Sequence, residues 1–179
     1  MKALINIDYT FDFIEGALPC GEAGIKIESA ISTITKQFIE EGHFTVFAID
    51  LHTIKDQYHP ETKLFPPHNI KGTKGRNLYG ALEEVYEQNK ELEHVYWMDK
   101  TRYSAFAGTD LEIKLNERNI KDVHLVGVCT DICVLHTAVD CYNKGFNLFI
   151  HEKATASFND AGHIWALDHF KSTLGASIL

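Results

Sequence analysis

No apolar run in the 179-residue sequence approaches the roughly 18 residues that a membrane-spanning helix needs. The N-terminal apolar run is interrupted by Asp8 before it reaches the length of a signal peptide. Lys and Arg number 17 against 25 Asp and Glu, no basic cluster occurs, and the net charge is −8. This balance argues against nucleic acid or an anionic membrane as the main partner. We therefore expect a soluble, cytoplasmic protein.

Cysteines are few, and the four that occur lack the paired spacing of a zinc finger: Cys20, Cys129, Cys133 and Cys141. Without a secretory signal, they predict reduced thiols rather than a disulfide framework. The sequence also has no internal repeat, low-complexity tract or linker. At this length we expect a single domain that covers residues 1–179.

Short apolar runs of strand length alternate with segments of helical periodicity along the chain. The apolar runs lie at residues 4–7, 44–49, 95–98, 123–128, 146–150 and 176–179. Helical periodicity marks residues 25–38, 78–86, 111–115, 132–142 and 159–170. This alternation predicts an α/β fold, a three-layer, Rossmann-like α/β/α arrangement with a central, mostly parallel sheet of about six strands.

Polar residues of the right type precede several of the predicted helices. Thr109 with Glu112 fits a capping box, and Ser157 or Asn159 is placed to cap the last helix. The segment 51–77 differs, since it has no periodicity and holds three of the four prolines and several histidines. A loop of that length in a compact protein is usually functional or flexible.

Reactive side chains follow the first four predicted strands in turn: Asp8, Asp50, Lys100 and Cys133. Each has an ordinary explanation by itself, since aspartate is common in turns and lysine is usually exposed. In open parallel sheets, however, ligands bind outside the carboxyl ends of the strands. Because these residues share that edge, the sequence favours a catalytic site there.

Cys133 is predicted to lie in the first turn of a helix that Thr130 or Asp131 caps. The free N–H groups and the dipole of that turn favour a nucleophilic thiolate and can also hold an oxyanion. Asp8 can take the thiol proton and return it to a leaving amine, while Lys100 lowers the thiol pKa. The alternatives are a small buried cysteine, or a protease-like pair with His136 as the base.

A second cluster of polar residues lies in or just before the long loop: Asp50, His52, His59, Glu61 and His68. Asp50 and His52 are two positions apart in an extended segment, so their side chains can face the same way. Imidazole and carboxylate ligands suit zinc, iron or manganese. The sequence therefore predicts a metal site beside the catalytic edge.

The segments IDYTFDF around Asp8, DKTRYSAF around Lys100 and GVCTDICVLHTAVDCY around Cys133 resemble the triad of the isochorismatase-like cysteine hydrolases. The segments DLH, YHPETKLFPPHN and SAFAGTDL resemble the nicotinamidase, or pyrazinamidase, branch of that superfamily. The resemblance covers essentially the whole chain. It implies hydrolysis of nicotinamide to nicotinate and ammonia through a thioester, in NAD salvage, with pyrazinamide as a further substrate.

The resemblance also implies roles for individual residues. It implies a cis peptide between Val128 and Cys129, and an oxyanion hole formed by the N–H groups of Cys129 and Cys133. The implied ligands of one divalent ion, zinc first and iron or manganese as alternatives, are Asp50, His52, Glu61 and His68. An exchange of Glu61 for His59 stays open, and the metal is expected to bind the ring nitrogen of the substrate. The implied ring-packing residues are Phe13, Phe65, Tyr103 and Phe106.

Two other functions remain open from the sequence. The first is a metal-free hydrolase of the same superfamily that acts on isochorismate or a carbamoyl compound. The second is a non-catalytic binding module, although an intact set of Asp8, Lys100 and Cys133 counts against it. The family resemblance also suggests self-association into a homo-oligomer.

Overall fold

The computed structural model describes residues 1–179. It contains six strands: β1 (Ala3–Ile7), β2 (Phe44–Asp50), β3 (Val95–Lys100), β4 (Asp122–Val128), β5 (Asn147–Ala156) and β6 (Ser177–Ile178). They form one sheet in the order β3-β2-β1-β4-β5-β6, and every neighbouring pair is parallel. The predicted α/β class is confirmed, and the sheet is parallel throughout.

Helices cover both faces of this sheet. They are α1 (Phe11–Ile14), α2 (Glu22–Lys26), α3 (Glu28–Glu40), α4 (Ala81–Asn89), α5 (Leu111–Glu117), α6 (Leu135–Asn143) and α7 (Asp160–Ser172). A π-helical turn (Thr130–Val134) precedes α6, and two short 3-10 turns, Pro60–Lys63 and Lys74–Arg76, interrupt the long loop. No helix combines the length and the apolar content that crossing a membrane requires.

The central strands are buried at every position of β1 and β2 because apolar helix faces pack on both sides. The core under α5, α6 and α7 contains Ala3, Ile5 and Ile7. The core under α3 and α4, on the other face, contains Leu4. This division follows from the two-residue period of a strand, which sends successive side chains to opposite faces. The hydrophobic core therefore consists of two layers separated by the sheet.

Some of the local predictions need correction. The helix predicted over residues 25–38 is split at Ile27, which ends α2 and begins α3. The capping box does not form, because Asp110 rather than Thr109 is the N-cap of α5, and the Thr109 hydroxyl accepts from Leu111 N (3.3 Å) instead of Glu112 N. The fifth strand extends to Ala156, beyond the predicted end. Asn159, rather than Ser157, caps α7 by accepting a hydrogen bond from Gly162 N (3.1 Å).

Gly127 allows β1 and β4 to approach closely just before the catalytic edge. Its φ of 117° lies in a region that favours glycine. A Cβ atom at this position would lie 2.0 Å from the Ile7 carbonyl oxygen. The glycine thus lets the ends of the two central strands lie side by side.

Two histidines of β4 and β5 are held in a largely apolar setting, away from the loop histidines. The His124 ring stacks on Phe149 at 4.4 Å and meets Phe38 edge-on at 5.0 Å. Its Nδ1 lies 3.0 Å from Nε2 of His151. Burial, reinforced by the neighbouring His151, lowers the pKa of His124 to about 4.

This lowered pKa makes stability depend on pH. Between about pH 6.5 and pH 4 the unfolded chain binds a proton at His124 that the folded protein does not, so stability falls as the pH falls. We expect the free energy of unfolding to fall less in His124→Gln than in the wild type as the pH falls from about 6.5 to about 4. Urea unfolding of the metal-free proteins measures the free energy of unfolding of each, and the difference between the two proteins should stay constant above pH 7. A constant difference down to pH 5 would contradict the prediction.

Candidate active site

The strand order brings the predicted catalytic residues together. Because β3, β2, β1 and β4 are consecutive neighbours in the sheet, their carboxyl ends form one continuous edge. Lys100 ends β3, Asp50 ends β2, Asp8 follows β1, and Cys133 lies in the π-helical turn after β4. All four side chains are buried.

Lys100 lies at the centre of this group. Its Nζ is 2.6 Å from Asp8 Oδ2 and 2.6 Å from Asp50 Oδ1. The same atom lies 3.2 Å from the Arg102 carbonyl oxygen and 3.8 Å from Cys133 Sγ. The ammonium therefore contacts both carboxylates and the thiol at once.

These contacts determine the charges at the site. Burial alone would lower the pKa of Lys100, but the Asp50 and Asp8 carboxylates outweigh it and raise that pKa, so the ammonium stays charged. Burial opposes ionisation of Asp50, yet Lys100 and His52 together lower its pKa to about 2. At Asp8, burial and repulsion from Asp50 raise the carboxyl pKa more than Lys100 lowers it, and the pKa rises to about 6.

Opposing contacts act on the pKa of the Cys133 thiol. Burial raises the pKa of its thiol well above the usual value, the attraction of Lys100 opposes the rise, and the Asp8 and Asp50 carboxylates add to it. One backbone N–H group of this turn is also engaged within the turn, since Ile132 N donates to the Cys129 carbonyl oxygen (3.0 Å). Burial therefore opposes the lowering of the thiol pKa that the helical turn and Lys100 favour, and a thiolate nucleophile stays a prediction.

Asp8 is placed to accept the thiol proton. One of its carboxylate oxygens lies within 4.8 Å of Cys133 Sγ, and its Oδ1 accepts a hydrogen bond from Asp50 N (2.8 Å). Its backbone φ of 54° is unusual for a residue other than glycine, and such conformations cluster at functional sites. The left-handed backbone follows β1 directly, where the carboxylate must reach Lys100.

The alternative base, His136, does not face the thiol. Its side chain is exposed, whereas Cys133 is buried. Its Nδ1 lies 2.7 Å from the Ile132 carbonyl oxygen, and its ring packs against Tyr103 at 5.2 Å. This placement favours Asp8 over His136 as the base.

The second cluster forms beside Lys100 and has the composition of a metal site. One ligand-type atom from each of four buried residues lies within 4.8 Å of the others: Asp50, His52, Glu61 and His68. Asp50 Oδ2, His52 Nε2 and His68 Nε2 have no hydrogen-bond partner, although buried polar atoms are normally satisfied. Two imidazoles and two carboxylates with unsatisfied atoms fit a divalent ion.

The surrounding hydrogen bonds separate His59 from this cluster. His59 Nε2 lies 2.7 Å from the Thr101 carbonyl oxygen, and its Nδ1 accepts a hydrogen bond from Glu61 N (3.2 Å). Both ring nitrogens are thus occupied. His68 instead uses only Nδ1, which lies 2.8 Å from the Pro66 carbonyl oxygen, and leaves Nε2 free. The geometry thus places Glu61 rather than His59 in the metal-type cluster.

A narrow, mostly apolar cavity lies between the thiol and the metal-type cluster. The residues that line it are Phe13, Leu18, Glu61, Phe65, Tyr103, Cys129, Ile132, Cys133 and Phe158. Three of the four predicted ring-packing residues are therefore on its wall. Phe106 is not, because its ring packs against Phe146 at 6.0 Å in the core, and its assignment is corrected.

Leu18, Ile132 and Phe158 are cavity residues that the sequence analysis missed. Phe158 is 46% exposed and follows the carboxyl end of β5. The strand that the sequence predicts ends at Ile150, so the sequence pattern does not place the residues after Ala156 at the catalytic edge. Leu18 lies in an irregular turn that carries no sequence signal.

A buried cysteine, aspartate and lysine lie at the carboxyl edge of a parallel sheet, beside metal-type ligands, and this arrangement is that of a candidate hydrolytic site on an α/β fold. The family follows from comparison with known proteins. The model of the isochorismatase domain matches residues 2–178, so the chain belongs to the isochorismatase family.

Proteins from three organisms illustrate the similarity. The chain is 61% identical to the Bacillus subtilis isochorismatase family protein PncA, over 99% of this chain and 98% of that one. A crystal structure of nicotinamidase/pyrazinamidase PncA from B. subtilis superposes with a TM-score of 0.98, at 60% identity and 99% coverage of both chains. The pyrazinamidase/nicotinamidase of Streptococcus mutans is 50% identical, with complete coverage of both chains and a TM-score of 0.98. The pyrazinamidase of Pyrococcus horikoshii in complex with zinc is 28% identical, covers 99% and 98% of the two chains, and has a TM-score of 0.86.

The assignment of Glu61 rather than His59 as a ligand can be tested by metal affinity. We expect Glu61→Ala to weaken zinc binding more than His59→Ala does, because only Glu61 contributes an atom to the cluster. The loss for His59→Ala should stay within the roughly 10–100-fold that is typical of residues that orient ligands. Competition with a chromogenic chelator measures both affinities on the purified proteins. A larger loss for His59→Ala would contradict the assignment.

Proposed function

We propose that this chain is a nicotinamidase, which hydrolyses nicotinamide to nicotinate and ammonia in NAD salvage and also accepts pyrazinamide. The observation that carries the proposal is the narrow cavity, which has the Cys133 thiol and the Glu61 carboxylate on its walls. A flat aromatic amide in this cavity can present its carboxamide to the thiol and its ring nitrogen to the metal-type cluster. The names of the B. subtilis and S. mutans relatives support this substrate class.

The chain's own residues supply the proton transfers. Cys133 attacks the amide carbon as its proton passes to Asp8, whose pKa of about 6 leaves it ionised at neutral pH. Asp8 returns the proton to the departing ammonia, which leaves a thioester on Cys133. Water then enters, loses a proton to Asp8 and attacks the thioester carbon. The C–S bond breaks, nicotinate leaves, and Asp8 returns the proton to the Cys133 sulfur. Lys100 holds the Asp8 carboxylate 2.6 Å away and offsets the charge that moves through the site.

The tetrahedral oxyanion needs donors in the same turn. We assign this role to the backbone N–H groups of Cys129 and Cys133. The peptide between Val128 and Cys129 is cis, as the family resemblance implies. Fixed donors of this kind are effective because they need no reorganisation as charge develops.

Asp50, His52, Glu61 and His68 hold one divalent ion in this proposal. Zinc is the first choice because of the ligand types and the zinc-bound P. horikoshii relative, and iron or manganese are alternatives. The bound ion supplies a coordination position for the ring nitrogen, which fixes the orientation of the substrate.

The aromatic walls and the cell compartment complete the proposal. Phe13, Phe65 and Tyr103 sandwich the pyridine ring, because all three line the cavity. We place the reaction in the cytoplasm, where four unpaired thiols are kept reduced. Assembly into a homo-oligomer stays a prediction.

Ammonia release from nicotinamide by the zinc-loaded protein tests the reaction. We expect steady, enzyme-dependent release, and a loss of at least roughly 10³-fold in Cys133→Ala because the nucleophile is removed. His136→Ala should change the rate only a few-fold, since its side chain is exposed and its Nδ1 is engaged with the Ile132 carbonyl oxygen rather than with the thiol. Circular dichroism checks that both variants remain folded. Turnover retained in Cys133→Ala would refute the nucleophile, and a large loss in His136→Ala would restore the protease-like scheme.

Removal of the metal separates this proposal from a metal-free hydrolase. We expect exhaustive chelation to reduce ammonia release by at least about tenfold, and zinc to restore it, because ring orientation depends on the ion. Atomic absorption measures the residual metal in the same samples. Undiminished turnover by protein shown to be metal-free would contradict the role of the ligand cluster.

A further inference from the structure

Three of the four cysteines have thiols that the proposed mechanism does not use. Cys133 and Cys141 pack in the core layer under α5, α6 and α7, whereas Cys20 and Cys129 pack in the layer on the other face of the sheet. Cys129 contributes only its backbone N–H to the mechanism. Cys20 lies just before α2 and has no assigned role.

The Sγ atoms of Cys20 and Cys129 lie 3.4 Å apart, although the residues are 109 positions apart in the sequence. A disulfide bond measures about 2.05 Å, so closure needs an approach of about 1.3 to 1.4 Å. Cys20 lies in a turn next to Gly21, whose φ is 59°, and is not part of a strand or helix. The movement can therefore come from this turn rather than from the sheet.

Both side chains are buried, with 7% of Cys20 and 2% of Cys129 exposed, which excludes bulky reagents. Cys129 nevertheless lines the cavity that holds Cys133. An oxidant small enough to enter the cavity thus meets the residue that carries one sulfur of the pair, and the second sulfur lies 3.4 Å from the first.

We propose that Cys20 and Cys129 form an oxidative modification site, at which hydrogen peroxide converts the two thiols to an intramolecular disulfide. The Cys129 thiolate attacks a peroxide oxygen, the O–O bond breaks, and a sulfenic acid and one water result. The Cys20 thiolate then attacks the Cys129 sulfur, the S–O bond breaks, and a second water leaves. The two thiols lose two electrons, which reduce one peroxide to two waters.

The environment makes this reaction slow at neutral pH. The hydrogen bond that Cys129 shares with Cys20, followed by burial, raises the pKa of the Cys129 thiol well above its usual value. Because the thiolate is the reactive form, the rate of disulfide formation should increase as the pH rises from 7 to 9.

The disulfide would act on the proposed active site through both of its ends. The Cys129 backbone N–H is one of the two assigned oxyanion donors. The Cys20 backbone N–H donates to the Phe13 carbonyl oxygen (2.7 Å), and Phe13 is part of the cavity wall. Movement of the Cys20 turn toward Cys129 shifts both the Cys129 N–H donor and the cavity wall at Phe13. This consequence rests on the proposed function, whereas disulfide formation itself does not.

Intact mass and peptide mapping of peroxide-treated protein test the proposal. We expect a mass loss of about 2 Da, with the peptides of Cys20 and Cys129 linked, in the wild type and also in Cys133→Ala. Ammonia release by the wild type should fall by at least about tenfold, and dithiothreitol should restore it. If nicotinamide proves not to be the substrate, the mass readout remains valid.

Two variants act as matched controls. Cys20→Ser should show no mass loss, and Cys20→Ala serves the same purpose if the serine variant fails to fold. Cys141→Ser, which alters a cysteine buried in the other core layer, should lose about 2 Da as the wild type does. The proposal is overturned if Cys20→Ser still loses this mass, if the Cys133→Ala protein forms no linked peptide, or if the wild type only gains oxygen on Cys133.

Discussion

The buried ammonium of Lys100 is the constraint on which the site depends. An unpaired charge in a protein interior is strongly unfavourable, so Lys100 requires the carboxylates of Asp8 and Asp50, each 2.6 Å away. Removing one member of such a buried pair typically costs about 3–5 kcal/mol. The three residues end or follow the neighbouring strands β3, β2 and β1, so the ion pairs also fix how these strand ends meet. Cys133 is added to this arrangement by the turn after β4.

Asp50 connects the two chemical clusters. Its Oδ1 accepts from Lys100, whereas its Oδ2 has no hydrogen-bond partner and belongs to the metal-type ligand set with His52. The electrostatics of the thiol and the occupancy of the ligand cluster therefore depend on the same carboxylate. His68 and Glu61 enter the cluster from the long loop, which explains why a segment without regular periodicity has a defined position.

The sequence predicted the α/β class and the catalytic edge because both follow from periodicity and from the position of residues after apolar runs. It could not predict that burial and the nearby Asp8 carboxylate raise the pKa of the Cys133 thiol, since both effects depend on tertiary packing. For the same reason, the choice between Glu61 and His59 needed the hydrogen bonds of both imidazole nitrogens. Phe106 was misplaced because an aromatic residue in a core and one in a binding cavity look alike in sequence.

The residues of the site come from distant parts of the chain. Asp8, Asp50, Lys100 and Cys133 become neighbours only when β1, β2, β3 and β4 are paired, and each connection between these strands is a long crossover. Contacts of such high sequence separation form late and together during folding. No fragment or partially folded intermediate that lacks one of these strands can contain the assembled group. Enzymatic turnover by this protein should therefore report cooperative folding of the whole sheet, with no partly active species along the way.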